Sequence, residues 1–137
     1  MQRLQIPVDE FTTPDPHTAH EDMTIDELRQ LMGEHGIRHL PVLRGESVVG
    51  LISDRDVRLA AGLSSEERRQ VRAADIMATA LLTVSSTTPL DQVAFAMSEK
   101  KVDSAIVMDE EDQFLGIFTA TDALNALIEI VRSGGES

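Results

Sequence analysis

The chain is 137 residues long, with 24 acidic side chains against 12 basic ones and a formal charge of −12. That balance repels a phosphate backbone, and four Phe with no Trp or Tyr leave little for bases to stack on, which excludes general nucleic-acid binding. The lack of cysteine removes disulfides, thiolate metal sites and thiol catalysis; with no secretion signal and no run near the ~20 apolar residues of a membrane span, a cytoplasmic protein is expected.

Taken in order, residues 1–10 read as an arm, followed by Phe11-Thr12-Thr13-Pro14 and a brief strand at Thr18-Ala19-His20. Ile25, Leu28 and Met32 then recur at the i, i+3, i+7 spacing of an amphipathic helix, opened by Thr24 with Glu27 and closed by Gly36. Two apolar runs, Leu40 to Leu43 and Val48 to Ile52, flank the hairpin signature Arg44-Gly45-Glu46-Ser47. A helix begins at Ser53-x-x-Asp56 and stops at Gly62, and Ser64 to Ala74, opened by Ser64-x-x-Glu67, reads as a helical connector. Thr83-Val84-Ser85 predicts another short strand. A helix carrying Leu90, Val93 and Met97 follows, with Thr88-Pro89 and Asp91 as its start signal. Strands at Ser104 to Met108 and Phe114 to Phe118 surround the acidic turn Asp109-Glu110-Glu111-Asp112. The last helix sets Leu124, Leu127, Ile128 and Val131 on one face, and Ser133 to Ser137 read as a tail.

These elements are one unit written twice. Ile25, Leu28, Met32, Glu34, Ile37 and Val42 fall on Leu90, Val93, Met97, Glu99, Val102 and Val107 at an offset of 65. After one extra residue in the acidic turn, Gly50 to Asp56 falls on Gly116 to Asp122. The expected class is α/β (α+β), two tandem β-α-β-β-α repeats. The division expected is residues 1–62 for the arm and first repeat, 63–74 for the connector, 75–132 for the second repeat and 133–137 for the tail.

The chemistry concentrates at Ser53-x-x-Asp56 and Thr119-x-x-Asp122. A strand-to-helix junction offers free amides and the positive end of a helix dipole, which suits an anion, and a carboxylate one turn on can accept from a ribose diol. The same pattern is also a plain capping box, and both readings stand at this point. Arg38, His39, Arg55 and Arg58 enrich the first copy in positive charge, and the counterparts of the first three are Asp103, Ser104 and Thr121, so two unequal pockets are expected, the first better suited to phosphate. His17 and His20, beside Asp15, Glu21 and Asp22, read as a surface loop rather than a metal site, and the acidic turn as solvated. No Gly-x-Ser-x-Gly elbow and no phosphate-binding glycine loop is present, so no enzyme is expected.

With both copies in view, the sequence resembles the cystathionine-β-synthase (CBS) domain family, in the form of a tandem pair or Bateman module. The resemblance spans residues 8–131 and is carried by Ile37 to Val42, Gly50 to Asp56, Ala74-Asp75-Ile76-Met77, Leu82-Thr83-Val84 and Gly116 to Asp122. It implies two repeats related by a pseudo-two-fold axis, with clefts that bind AMP, ADP, ATP or S-adenosylmethionine as regulatory ligands, and no other cofactor and no metal. Asp56 and Asp122 would hold ribose hydroxyls, and Ser53 and Thr119 would meet phosphate or the ribose edge. Thr18 and Thr83 would lie beside adenine, and Arg38 and His39 would reach phosphate. Apolar residues around Ile37, Pro41, Leu51 and Ile117 would sandwich the base; Arg55 and Ser104 complete the set. The resemblance further implies a homodimer joined through helices and, with no effector domain attached, a separate effector protein as partner. The alternative expectation is a ligand-free structural or dimerisation module. Two departures stand out: Phe11-Thr12-Thr13-Pro14 replaces the family's methionine-threonine pair, and Asp103-Ser104 replaces a basic pair.

Overall fold

The computed structural model describes residues 5–134. Along the chain a single 3₁₀ turn (Val8–Glu10) precedes β1 (Thr13–Pro14), β2 (Ala19–His20), α1 (Ile25–His35), β3 (His39–Arg44), β4 (Ser47–Ser53) and α2 (Asp54–Ala61). Two short helices, α3 (Ser65–Gln70) and α4 (Ala73–Ile76), lead to β5 (Thr83–Ser85), α5 (Leu90–Lys100), β6 (Ser104–Met108), β7 (Phe114–Thr119) and α6 (Ala120–Gly134). The β-α-β-β-α order expected from the sequence therefore occurs twice.

Local chemistry sets the first copy. The Thr24 hydroxyl accepts from the Glu27 amide while the Glu27 carboxylate accepts from the Thr24 amide, so α1 starts with orphan donors satisfied. It ends at Gly36 in the left-handed region (φ 61), a backbone conformation that glycine adopts without strain. β2 lies parallel to β3, and β3 antiparallel to β4, in the sheet order β2-β3-β4. Ile25, Leu28, Leu40, Val42 and Ile52 have no exposed surface and form the centre of this core.

The second copy repeats the pattern with different residues at its corners. β5 runs parallel to β6 and β6 antiparallel to β7, with a bulge at Val107/Met108 that matches one at Val42/Leu43. The extra residue in the acidic turn is absorbed by Asp112 (φ 63), while the Asp109 carboxylate accepts from the Glu111 and Gln113 amides at 2.8 and 2.9 Å. Lys101, not glycine, takes the left-handed position (φ 55) that closes α5.

Three local expectations need correction. The arm is not loose where it is described: Val8 is fully buried, and its amide donates to the Thr88 carbonyl at 2.9 Å. Residues 1–4 and 135–137 lie outside the described residues. Thr88 does not cap α5; Pro89 is the N-cap with no side-chain bond, because the Leu90 amide is capped instead by the Ile6 carbonyl at 2.7 Å. The connector is not one helix, since Val71 turns extended after α3 and α4 starts afresh.

The chain forms two compact units that do not coincide with the repeats. One is Pro16–Leu81; the other joins the segment ending at Asp15 to the chain from Leu82 onward. In each unit the stretch ahead of the other copy crosses the second strand of a hairpin. β1 pairs antiparallel with β7, Thr13 opposite Ile117, in the order β1-β7-β6-β5. Ala78 bridges Leu51 on β4 in the matched place. Glycine makes both crossings possible, because a Cβ at Gly116 would meet the Thr13 carbonyl and one at Gly50 would meet Met77.

Candidate functional site

The two hydroxyl-plus-carboxylate junctions are built alike from the backbone up. β3 delivers Arg38 and His39 beside the end of β4, where His39 pairs with Ser53 and the Asp54 amide donates to the Arg38 carbonyl at 2.8 Å. In the second copy Ser104 pairs with Thr119, and the Ala120 amide donates to the Asp103 carbonyl at 2.9 Å. Each helix then starts with a reciprocal capping box, so the cap reading of the motif is correct as far as it goes.

The caps differ in what they leave over. At the first, Asp56 Oδ2 accepts from the Ser53 amide at 3.0 Å and the Ser53 hydroxyl accepts from the Asp56 amide at 3.2 Å. Asp56 Oδ1 makes no hydrogen bond among the described residues, and the Ser53 proton is uncommitted. At the second, Asp122 Oδ2 accepts from both the Thr119 amide (2.8 Å) and the Thr119 hydroxyl (3.1 Å). Its Oδ1 faces the Thr13 hydroxyl at 3.5 Å. Both carboxylates are half-buried. Capping alone uses one oxygen of Asp56, which leaves an acceptor oxygen beside a hydroxyl donor.

The other expected residues fall at varied depths. Arg38 and Arg55 are exposed, while Ile37, His39 and Leu51 are half-buried. Thr18 is half-buried immediately ahead of β2, and Thr83 is exposed at the start of β5. Ser104 and Ile117 are buried, and Pro41 is among the most completely buried side chains. Asp56 also stands at the rim of an open hollow of about 410 Å³ whose walls are mainly Leu59, Ala60, Leu63, Val71 and Ile76, with Asp75 opposite.

Thr13 is the site residue that the sequence reading missed. A signal existed: at the offset of 65, Thr12-Thr13 falls on Met77-Ala78, so a hydroxyl stands at the second crossing where the first has only a methyl. The histidines near the start do not converge. The His17 ring stacks on His35 at 3.8 Å between centroids, and His20 Nδ1 faces Asp22 at 3.5 Å. Among the described residues no cluster of three His, Cys, Asp or Glu could hold a metal, and no helix is long and apolar enough to cross a membrane.

A β-α-β-β-α unit present twice, each closed by a hydroxyl-plus-carboxylate helix start, defines a tandem-repeat domain pair. The sequence profile of the CBS domain matches residues 8–62 and 73–129, most of the chain, and the protein belongs to that family. A crystal structure of a Vibrio cholerae protein assigned to acetoin utilization (AcuB) superposes with a TM-score of 0.84 at 27% identity, covering 98% of each chain. CBSX2 of Arabidopsis thaliana in complex with AMP gives 0.76 at 25% identity over 90% of this chain and 97% of that one. The CBS domain pair of protein MJ0100, in complex with 5′-methylthioadenosine and S-adenosyl-L-methionine, gives 0.77 at 26% identity over 98% of this chain and 100% of that one. The chain spans less than a quarter of the length of the first curated relatives it matches, whose names are those of enzymes.

Proposed function

We propose that this protein is a regulatory module that binds adenosine-containing ligands at its two junctions and passes the change to a separate effector protein in the cytoplasm. The ligands in view are AMP, ADP, ATP and S-adenosylmethionine. The single observation that carries the reading is the half-buried Asp56 carboxylate, which spends one oxygen on its helix cap and keeps the other for a ligand. Asp56 and Asp122 hold ribose hydroxyls, and Ser53 and Thr119 meet the ribose edge or phosphate. Thr18 and Thr83 lie beside adenine, Arg38 and His39 reach phosphate, and the half-buried Ile37 and Leu51 provide apolar contact. Related domain pairs bound to AMP and to S-adenosyl-L-methionine support the ligand class. In this reading the chain works by binding.

The proposal includes a homodimer. Leu124, Leu127 and Val131 on α6 expose 56–69% of their surface and Phe95 on α5 exposes 67%, an apolar face that a second copy would cover. The test of the reading is thermal unfolding with AMP, ATP and S-adenosylmethionine. A ligand at 100 times its dissociation constant stabilises the fold by ~2.7 kcal/mol. No shift with any of the three overturns the reading and leaves a ligand-free structural module, for which the two capping boxes alone would suffice.

A further inference from the structure

We infer that the two junctions take different ligands: the first an adenosine ligand that carries phosphate, the second an adenosine ligand that carries none. This rests on the ligand class proposed above and assigns each junction its share of it.

The argument is one of charge around two matched frameworks. In a chain with twice as many acids as bases, three arginines gather at the first junction: Arg38 at the start of β3, Arg55 in the first turn of α2 and Arg58 one turn on. Arg38 is tied to that first turn through its carbonyl, which accepts from the Asp54 amide. All three side chains are exposed, and none of the three guanidiniums makes an ion pair or hydrogen bond among the described residues. Arg44, by contrast, grips Glu21 through two nitrogens at 2.8–3.0 Å, and Arg68 bonds the Ala61 and Leu63 carbonyls. Three guanidiniums left unspent around the start of α2, together with the uncommitted Ser53 proton, make a donor set for a phosphate dianion.

At the second junction every one of those cations is replaced. Asp103 stands for Arg38, Thr121 for Arg55, Leu124 for Arg58 and Ala120 for Asp54, so each junction keeps two carboxylates while all three positive charges are lost on the same backbone frame. Hydroxyls take their place: Thr119 donates to Asp122, and Thr13 approaches the same carboxylate from β1. Both junctions carry carboxylates, so the lost arginines separate them: a phosphate dianion finds no guanidinium here to offset that charge, whereas a ribose with a neutral or cationic 5′ group needs none.

The test is isothermal titration of the full chain with AMP and with adenosine. AMP should bind once per chain, and adenosine should still titrate into AMP-saturated protein, once per chain. Asp122→Asn should abolish the second event and leave AMP binding intact. Arg38→Ser with Arg55→Thr should weaken AMP about tenfold or more, from the loss of charge-assisted bonds, and leave adenosine at the second junction within about twofold. AMP binding that survives the double arginine replacement unchanged, or that requires Asp122, overturns the assignment while leaving the adenosine reading in place. No binding of either compound overturns both.

Discussion

Replacing Asp56 by Asn separates the two roles of this side chain. The carboxylate makes one hydrogen bond, from the Ser53 amide to Oδ2 at 3.0 Å. An asparagine oxygen can accept the same bond, so the helix start survives and loses only the favourable charge at its N-terminus, about 0.5 kcal/mol. The ligand loses more. Two ribose hydroxyls on a carboxylate contribute ~1.5–3 kcal/mol each, because one partner is charged. The amide recovers about half of this, leaving a net loss of ~1.5–3 kcal/mol, or about 10- to 150-fold in affinity. Urea unfolding monitored by circular dichroism measures the first quantity and calorimetric titration with AMP the second. A variant as stable as the parent that binds AMP within about threefold would refute the claim that Asp56 does anything beyond capping.

Other consequences concern the scaffold. Gly116→Ala drives a methyl into the Thr13 carbonyl on β1; it should cost ~1–3 kcal/mol and speed hydrogen exchange at Asp15, whose amide bonds the Leu115 carbonyl, and an unchanged rate there would contradict the crossing. Lys101→Gly relieves a left-handed backbone that the matched Gly36 already satisfies, and should raise stability by about 1 kcal/mol in the same urea assay; a loss would show that the Lys101 side chain contributes something the fold does not reveal. Two carboxylates are held below their usual 4.5: Glu21 by hydrogen bonding to Arg44, and Glu27 by hydrogen bonding to the Thr24 amide and hydroxyl. Depressed values mean fewer protons bound in the folded state, so this stabilisation is present above pH 4.5 and fades as pH falls through the lowered values. Arg44→Ala and Glu27→Gln should each flatten the acid limb of a stability–pH curve, and limbs that superpose on the parent would count against both interactions.

The duplicated unit was legible because its signals are local. Thr24 with Glu27, Gly36, and the hairpin glycine Gly45 each act within a few residues, and each appears in the structure as its chemistry demands. The exchange of the stretches ahead of each copy was not legible in that way. Val8, Phe11 and Thr13 find their partners about a hundred residues away in the second repeat, and no periodicity encodes a contact of that range. For the same reason Thr88 misled as a cap: its role passed to the Ile6 carbonyl, supplied by the other end of the chain. The junctions lie between these cases. Ser53-x-x-Asp56 announces a capping box, yet the oxygen it leaves over becomes visible only when each bond is assigned to an atom. Pro41 illustrates the opposite limit, since an apolar strand residue gives no sign in sequence of whether it faces a ligand or the core, and here it is fully buried.

Crystals grown with saturating AMP, solved to the point where the ribose is visible, examine the proposed chemistry at its source. The ribose hydroxyls should sit within hydrogen-bond reach of Asp56, about 2.6–3.2 Å, with the cap bond from the Ser53 amide retained. Nucleotide found away from Asp56, with that carboxylate turned to water, would contradict the assignment of the junction as a ligand site.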